Sequence, residues 1–368
     1  MSQIQIVILA IGGIQGFLLF TLLFSDKRVN YASKLLGIQC LFIATTFVLP
    51  LIVEAENSLF TWLIGFLVFL PACYGGLTYL YCRTAITGLP LKRIDILHFL
   101  PLAICYLINY DILFPAEKAL EFVRLPDNAL LIKMITKMII FGQIIIYTAL
   151  SIKMVHFYQI KAKQTLSSYN PDIFKWLWCL IIFIVSFWAL SIFFNFISRI
   201  HSINTLSYIL LVLMVYFIAF VQLRNPSLFH VKQLKQELAQ SSSTDINQSS
   251  DGLLDQEMRS NLLSLIQKQV KEQALYRNSE LTLSNLANQV GVSVHHLSET
   301  LNQQGGKNFN LFINEYRVAD VCQQLEQKSD RNLIDLALEA GFSSKSSFNA
   351  TFKKLTGKTP SVYRQQIT

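Results

Sequence analysis

Seven apolar runs, each near the length that crosses a bilayer, occupy the chain up to Val221, and beyond Gln222 no uncharged run approaches the roughly 20 residues a membrane helix needs. A chain patterned this way cannot hide its apolar surface in one soluble core. The runs are Ile4 to Phe24, Leu35 to Val53, Leu59 to Tyr81, Ile94 to Phe114, Ala129 to Ile152, Trp176 to Phe196 and Thr205 to Val221. Bulk composition conceals the division, because 52% hydrophobic and 15% charged residues average an apolar front over a polar tail. The expectation is a bilayer-embedded helical domain over residues 1–222, a stalk and linker over 223–254, and a soluble domain over 255–368. The first run lacks both a basic start and a small-residue cleavage site, so it reads as a retained span.

Loop charges orient the spans. The first, third and fifth connections carry Lys27, Arg28, Lys34, Arg83, Lys92, Arg93, Lys153, Lys161, Lys163 and Lys175, against Lys118, Arg124 and Arg199 in the second, fourth and sixth. Ten against three puts the odd loops in the cytoplasm and the N-terminus outside. An odd number of spans then delivers the tail to the cytoplasm. The net charge of +8 is accounted for by those loops and the end of the tail.

Several classes of chemistry are excluded. The six cysteines fall in no outer loop and in no CxxC or Cys/His spacing that would hold zinc, so they read as small buried hydrophobes. No GxSxG, HExxH or phosphate-loop pattern occurs, and Gly12-Gly13-Ile14-Gln15-Gly16 lacks the strand-to-helix context of a nucleotide loop. Neither an enzyme nor a metal or cofactor site is expected.

Past the last run, Leu228, Val231, Leu234 and Leu238 recur at helical spacing, which suits a stalk, a dimer seam with a second copy, or a helix lying on the membrane surface. Ser241 to Gly252 has almost nothing to bury and reads as a tether reaching on the order of 20 Å. A helix from Leu254 to Leu275 follows, with Met258, Leu262, Leu265, Ile266 and Val270 on one side.

The tail then states one pattern twice. Leu283-Ser284-Asn285-Leu286-Ala287-Asn288-Gln289-Val290-Gly291-Val292-Ser293 and Leu333-Ile334-Asp335-Leu336-Ala337-Leu338-Glu339-Ala340-Gly341-Phe342-Ser343 each read as a helix, a glycine turn and a serine opening a second helix. Leu297, Leu301, Phe348 and Phe352 are spaced to face inward. That leaves His295, His296, Ser298, Glu299 and Asn302 outward on one second helix, and Lys345, Ser346, Ser347, Asn349, Ala350 and Lys353 outward on the other. Short polar side chains there suit base edges in a major groove, and Lys345, Lys353, Lys354, Lys358 and Arg364 suit phosphates. A helix from Phe309 to Leu325 separates the two motifs and is able to hold them apart by a turn of DNA, roughly 34 Å.

These residues resemble the DNA-binding domain of AraC-type transcription regulators. The resemblance rests on Leu281-Thr282-Leu283, Leu286-Ala287, His296-Leu297-Ser298, the stretch Asn308 to Val318, and Gly341 to Arg364, and it covers Leu281 to Arg364. His98-Phe99-Leu100-Pro101 matches an element of the branch fused to a multi-span membrane sensor. The family implies an all-α architecture, here a seven-transmembrane-helix bundle followed by a cytoplasmic domain with two helix-turn-helix motifs joined by a linker helix. It implies a regulator in the bacterial inner membrane with double-stranded promoter DNA and RNA polymerase as partners. It places His295, Ser298 and Glu299, and Lys345, Ser346, Ser347, Asn349 and Ala350, on base-facing positions. Glu299 stands where a basic or neutral residue is commoner and would select cytosine N4, and Ala350 offers only apolar contact.

Within the spans, Lys133 and Lys137 share a face of the fifth run and Asp111 ends the fourth, which reads either as an anion-attracting signal pocket or as snorkelling lysines with an interfacial aspartate. Three functions fit: a one-component membrane receptor coupling a signal ligand to promoter binding, a transporter-like module with a regulatory tail, or a tethered regulator released by proteolysis in the linker.

Overall fold

A computed structural model of the chain describes residues 1–25, 31–55, 60–126, 130–167, 172–197, 204–224, 255–327 and 331–367. The stalk positions Leu228 to Leu238 and the tether Ser241 to Gly252 lie outside the described residues. Two compact units emerge, one of residues 1–156 and 174–230, the other of residues 157–173 and 231–368. Among the described residues both are helical, with one isolated bridge between Leu166 and Thr282.

The first unit opens with α1 (Gln3–Ser25) and α2 (Tyr31–Glu54). They pack antiparallel, with Gly16 against Ala44 and the Cys40 carbonyl, and Gly37 against Leu23 and Phe20. A Cβ at Gly16 would sit 2.8 Å from the Ala44 side chain, so only glycine lets these backbones approach. The third run is wound in pieces: 3-10 turns at Thr61–Leu63 and Leu70–Cys73 flank α3 (Ile64–Leu67) and lead into α4 (Tyr74–Thr87). Antiparallel to α2, α4 places Thr78 on Gln39 at 2.8 Å and Tyr74 on Thr46 at 2.8 Å.

The fourth run departs from the expectation of one continuous span. It consists of a 3-10 stretch, Arg93–Phe99, then α5 (Leu100–Ile108), then a 3-10 turn, Tyr110–Ile112. Pro101 explains the first break, since proline is tolerated in the first turn of α5 but an α-helix cannot run back through it. Asn109 marks the second: its amide donates to the Cys105 carbonyl and to Thr136, both at 2.9 Å. The broken segment nevertheless runs back along the third one, with His98 against Gly76, Tyr106 against Phe69, and Ile112 against Gly65.

Next comes the short amphipathic α6 (Ala116–Arg124), burying Ala119 and Phe122. The long α7 (Leu131–Thr165), α8 (Asp172–Ile197) and α9 (Asn204–Arg224) follow. Five segments are long and apolar enough to cross a membrane, and Thr205–Val221 is a shorter apolar helix. α1 and α9 run parallel: Gln5 donates to Thr205 at 2.8 Å, and further along Leu18, Leu19 and Leu22 share a cleft with Val215, Tyr216 and Ala219.

The second unit is built on α10 (Gln256–Glu272), α11 (Leu283–Val290), α12 (Val294–Glu299), α13 (Phe309–Glu326), α14 (Leu333–Glu339), α15 (Lys345–Thr356) and α16 (Pro360–Ile367). Asp255 caps α10, on which Ile266 and Val270 are buried, whereas Met258 and Leu265, expected on the same inner side, are exposed. α13 serves two cores. Its first turns place Phe309, Phe312 and Ile313 among Leu286, Leu297 and Leu301, while its later turns place Val318, Val321 and Leu325 among Leu336, Phe348 and Phe352.

Candidate nucleic-acid interface

Each half of the tail forms its turn by the same local chemistry. In the first, Thr282 accepts from the Asn285 amide to start α11, Gly291 ends it at φ +77°, and Ser293 accepts from the His296 amide at 3.1 Å to start α12. In the second, Asn332 opens α14, and Ser344 opens α15 by accepting from the Ser347 amide at 3.2 Å. Gly341 holds φ +96°, and any Cβ there would collide with the carbonyl oxygens of Tyr276 and Arg277. Glycine is required on both counts.

The second helices differ. On α15, Lys345, Ser346, Asn349, Ala350 and Lys353 are all exposed along one surface, while Phe348 and Phe352 turn into the core. Ser347, expected on the outer face, is buried at 6% exposure, beside the inward phenylalanines. Lys354 and Lys358 are exposed and Arg364 half-buried, so the basic side chains continue past the C-terminal end of α15. Favourable interaction with that helix terminus and with an approaching phosphate backbone share the same sign.

On α12, His295 projects with 80% of its side chain exposed, and Ser298 and His296 are half-buried. After Glu299 the helix widens into a π turn, Thr300–Gln304, closed by the Gly305 amide on the Thr300 carbonyl and the Lys307 amide on the Leu301 carbonyl. Asn302 is exposed, and its amide is drawn back onto the Ser298 carbonyl at 2.8 Å and hydroxyl at 3.3 Å. Glu299 does not face outward. Its side chain is 7% exposed and accepts from Arg259 of α10 at 2.8 Å, while its other oxygen has no hydrogen bond and lies 3.9 Å from His295. A carboxylate four residues after His295 is thus drawn inward by a cation on another helix, and its assignment to cytosine does not fit this geometry.

Between the halves sits a side chain whose role sequence reading missed. Arg317 of α13 is 0% exposed and donates to the carbonyls of Tyr276 (2.7 Å), Asn278 (2.9 Å) and Ser167 (2.9 Å), to the Ser167 hydroxyl (3.0 Å) and to Asn314 (3.3 Å). Burial pulls its pKa down to about 9, so it remains charged at neutral pH. Leu166 and Ser167 complete the seat: Ser167 donates its amide to the Leu281 carbonyl, and Asn310 donates to both carbonyls of the pair. The motif Glu315-Tyr316-Arg317-Val318 was visible in the sequence, but nothing in it announced a partner 150 residues earlier.

The other proposed pocket residues lie in the first unit. Lys133 is buried and donates to the carbonyls of Phe122 at 2.7 Å and Leu125 at 2.5 Å, so it caps the C-terminal end of α6. Asp111 is exposed on its 3-10 turn, and Lys137, one turn beyond Lys133, lines a separate cavity. Among the described residues no cluster of three metal-ligating side chains occurs, and every cysteine is a free thiol.

Two helix-turn-helix modules mounted on one shared helix, with a basic second helix, are the arrangement used by helix-turn-helix DNA-binding domains. The family model described as a helix-turn-helix domain matches residues 286–366. A probable transcription factor, PqrA of Proteus vulgaris, is 31% identical over 111 residues, which is 30% of this chain and 89% of that protein. Helix-turn-helix transcriptional regulators of Staphylococcus aureus strains COL and MSSA476 are 39% identical over 90 residues, 24% of this chain. The chain spans only 12% of the length of those staphylococcal relatives. A solved structure of a protein of unknown function from Listeria innocua is 28% identical over 30% of this chain and 96% of its own, with a TM-score of 0.25. The chain belongs to the AraC-type helix-turn-helix transcription regulators.

Proposed function

We propose that the protein is a membrane-embedded, sequence-specific regulator of the bacterial inner membrane that couples a signal sensed by its apolar unit to promoter binding. One observation carries the coupling. Leu166 and Ser167 follow directly on α7, a helix apolar and long enough to cross a membrane, and their hydrogen bonds are spent inside the DNA-reading unit on Arg317, Asn310 and Leu281. A shift of α7 would therefore be felt at the helix that carries both motifs.

The same contact supports the topology. On this reading the fifth loop and the tail share one side of the membrane, in keeping with the lysine and arginine distribution. Parallel packing of α1 and α9 supports an odd number of crossings, and the return of the broken fourth segment along the third is compatible with seven. On this reading residues 1–222 are the sensor, 223–254 the connection and 255–368 the reader. His295, Ser298 and Asn302, with Lys345, Ser346, Asn349, Ala350 and Lys353, form the DNA face.

Genome-wide mapping of DNA bound by the tagged chain, with immunoblots of membrane and soluble fractions, tests the proposal. Discrete promoter sites bound by full-length membrane protein are expected. Binding confined to a soluble C-terminal fragment would replace coupling by proteolytic release, and the absence of discrete sites would remove the regulatory reading.

A further inference from the structure

The first described helix after the linker is apolar on two sides. Inward, α10 buries Ile266 and Val270 in the core of the first half, with Leu262 and Leu263 packed partly against it. Outward, Met258 is 58% and Leu265 42% exposed. The other exposed large apolar side chains described between residues 255 and 367 are Leu338 of α14 and Val362 of α16, each single on its helix. Met258, Leu262 and Leu265 recur at i, i+4 and i+7, so they form one stripe, which the half-buried Leu262 joins to the core. A second stripe on a helix whose first is already buried points to a contact.

Charge selects what covers it. Glu257 and Lys268 are eleven residues apart, so three turns of helix put them on the same flank of the stripe, one toward each end. Both are exposed, and neither makes an ion pair or hydrogen bond among the described residues. In an antiparallel pair of α10 helices whose two-fold axis passes between Asn261 and Leu262, Met258 faces the copy's Leu265, and Leu262 lies beside the copy's Leu262. Glu257 then lies on the same side as the copy's Lys268 and about 3 Å from its level along the axis. A parallel pair sets each charge level with its own kind, about 16 Å from the opposite one. An anionic inner leaflet fits less well, because the acids Glu257 and Glu272 border the stripe.

Resting on the membrane-embedded reading above, we infer that α10 is a seam for the α10 of a second copy of this chain. The two helices pair antiparallel, bury Met258, Leu262 and Leu265 between them, and set Glu257 against the copy's Lys268 at both ends. Three apolar residues a side cover too little area to hold free domains together. Two chains anchored in one membrane meet at a much higher effective concentration, so a small seam suffices. Arg259, on the inward side of α10, donates to Glu299 of α12 at 2.8 Å, so pairing sets the two copies' first recognition helices in a fixed relation.

The test uses the full chain in inverted membrane vesicles, with introduced cysteines joined by a short bifunctional maleimide and the unsubstituted chain giving the background of the native thiols. Asn261→Cys, exposed beside the axis, should crosslink to itself. Met258→Cys and Leu265→Cys should each fail alone, since the two copies of either lie about 10 Å apart along the helix, and should crosslink when the two variants are coexpressed. Glu257→Lys in the Asn261→Cys chain should cut the yield several-fold, as should Lys268→Glu, and both together should restore it. No crosslink at Asn261→Cys, charge reversals without effect, or self-crosslinking at Met258→Cys as strong as at Asn261→Cys would overturn the antiparallel seam. Cysteines at 258 and 265 that neither crosslink nor react with a charged maleimide would place the stripe in lipid and overturn it too. The fraction in which the chain is recovered reports separately on the membrane anchor, and promoter mapping in the same cells on the regulator: discrete promoter sites without the crosslinks sink the seam alone, and the crosslinks without discrete sites sink the regulator alone.

Discussion

The two recognition helices share a design and differ in how much of their outer surface is already committed. α15 offers two lysines, a serine, an asparagine and an alanine, all exposed, with further basic residues beyond its end. α12 spends Glu299 on Arg259 of α10, ties Asn302 to Ser298, and loosens into a π turn. On the proposed function, α15 is the helix whose exposed side chains face outward to serve as an electrostatic and base-reading contact. α12 is joined through the Arg259–Glu299 pair to α10, the first described helix after the linker.

The largest effect that would break this comparison is at Arg317, which both halves share. Arg317→Met leaves the carbonyls of Tyr276, Asn278 and Ser167 without their donor, and unmet buried groups cost about 1–3 kcal/mol each. Hydrogen exchange of the full chain should show α11 and α15 losing protection together. Loss confined to one half would mean the modules are independent and Arg317 is not their common anchor.

Next in size is the DNA face itself. Lys345→Ala with Lys353→Ala should lower the slope of log affinity against log salt by about two units, one per lost phosphate contact. His295→Ala with Ser298→Ala should leave the slope within about half a unit and relax the preferred sequence by about 1–3 kcal/mol per base pair. Salt titration of specific and scrambled operators measures both, and equal slope changes for the two pairs would erase the division of labour.

The repeated motif, its glycine turns and its serine caps were legible because each depends on residues within a turn of one another. What sequence could not supply was the direction of polar side chains that answer to distant partners. Glu299 lies at an outward spacing, yet Arg259, forty residues earlier, draws it in; Ser347 lies at the margin of the exposed arc and is covered by the core. The apolar runs show the same limit. Hydropathy located the fourth, but the local effects of Pro101 and Asn109 decided that it would be a broken segment. Lys133 and Lys137 share a helix face, and only the position of α6 assigns one to a helix end and the other to a cavity.

A smaller effect sharpens the contrast at its centre. Arg259→Ala removes the hydrogen-bonded cation from a carboxylate that is 7% exposed, and should destabilise the first half by about 1–3 kcal/mol while leaving α15 protected from exchange. Glu299→Gln keeps an acceptor for Arg259 and gives up only the charge, so its cost should be smaller and its operator unchanged. If Glu299→Gln instead shifts base preference at one position without altering stability, the carboxylate reaches DNA. α12 would then swing outward on binding, and the commitment that distinguishes it from α15 would be a property of the unbound chain alone.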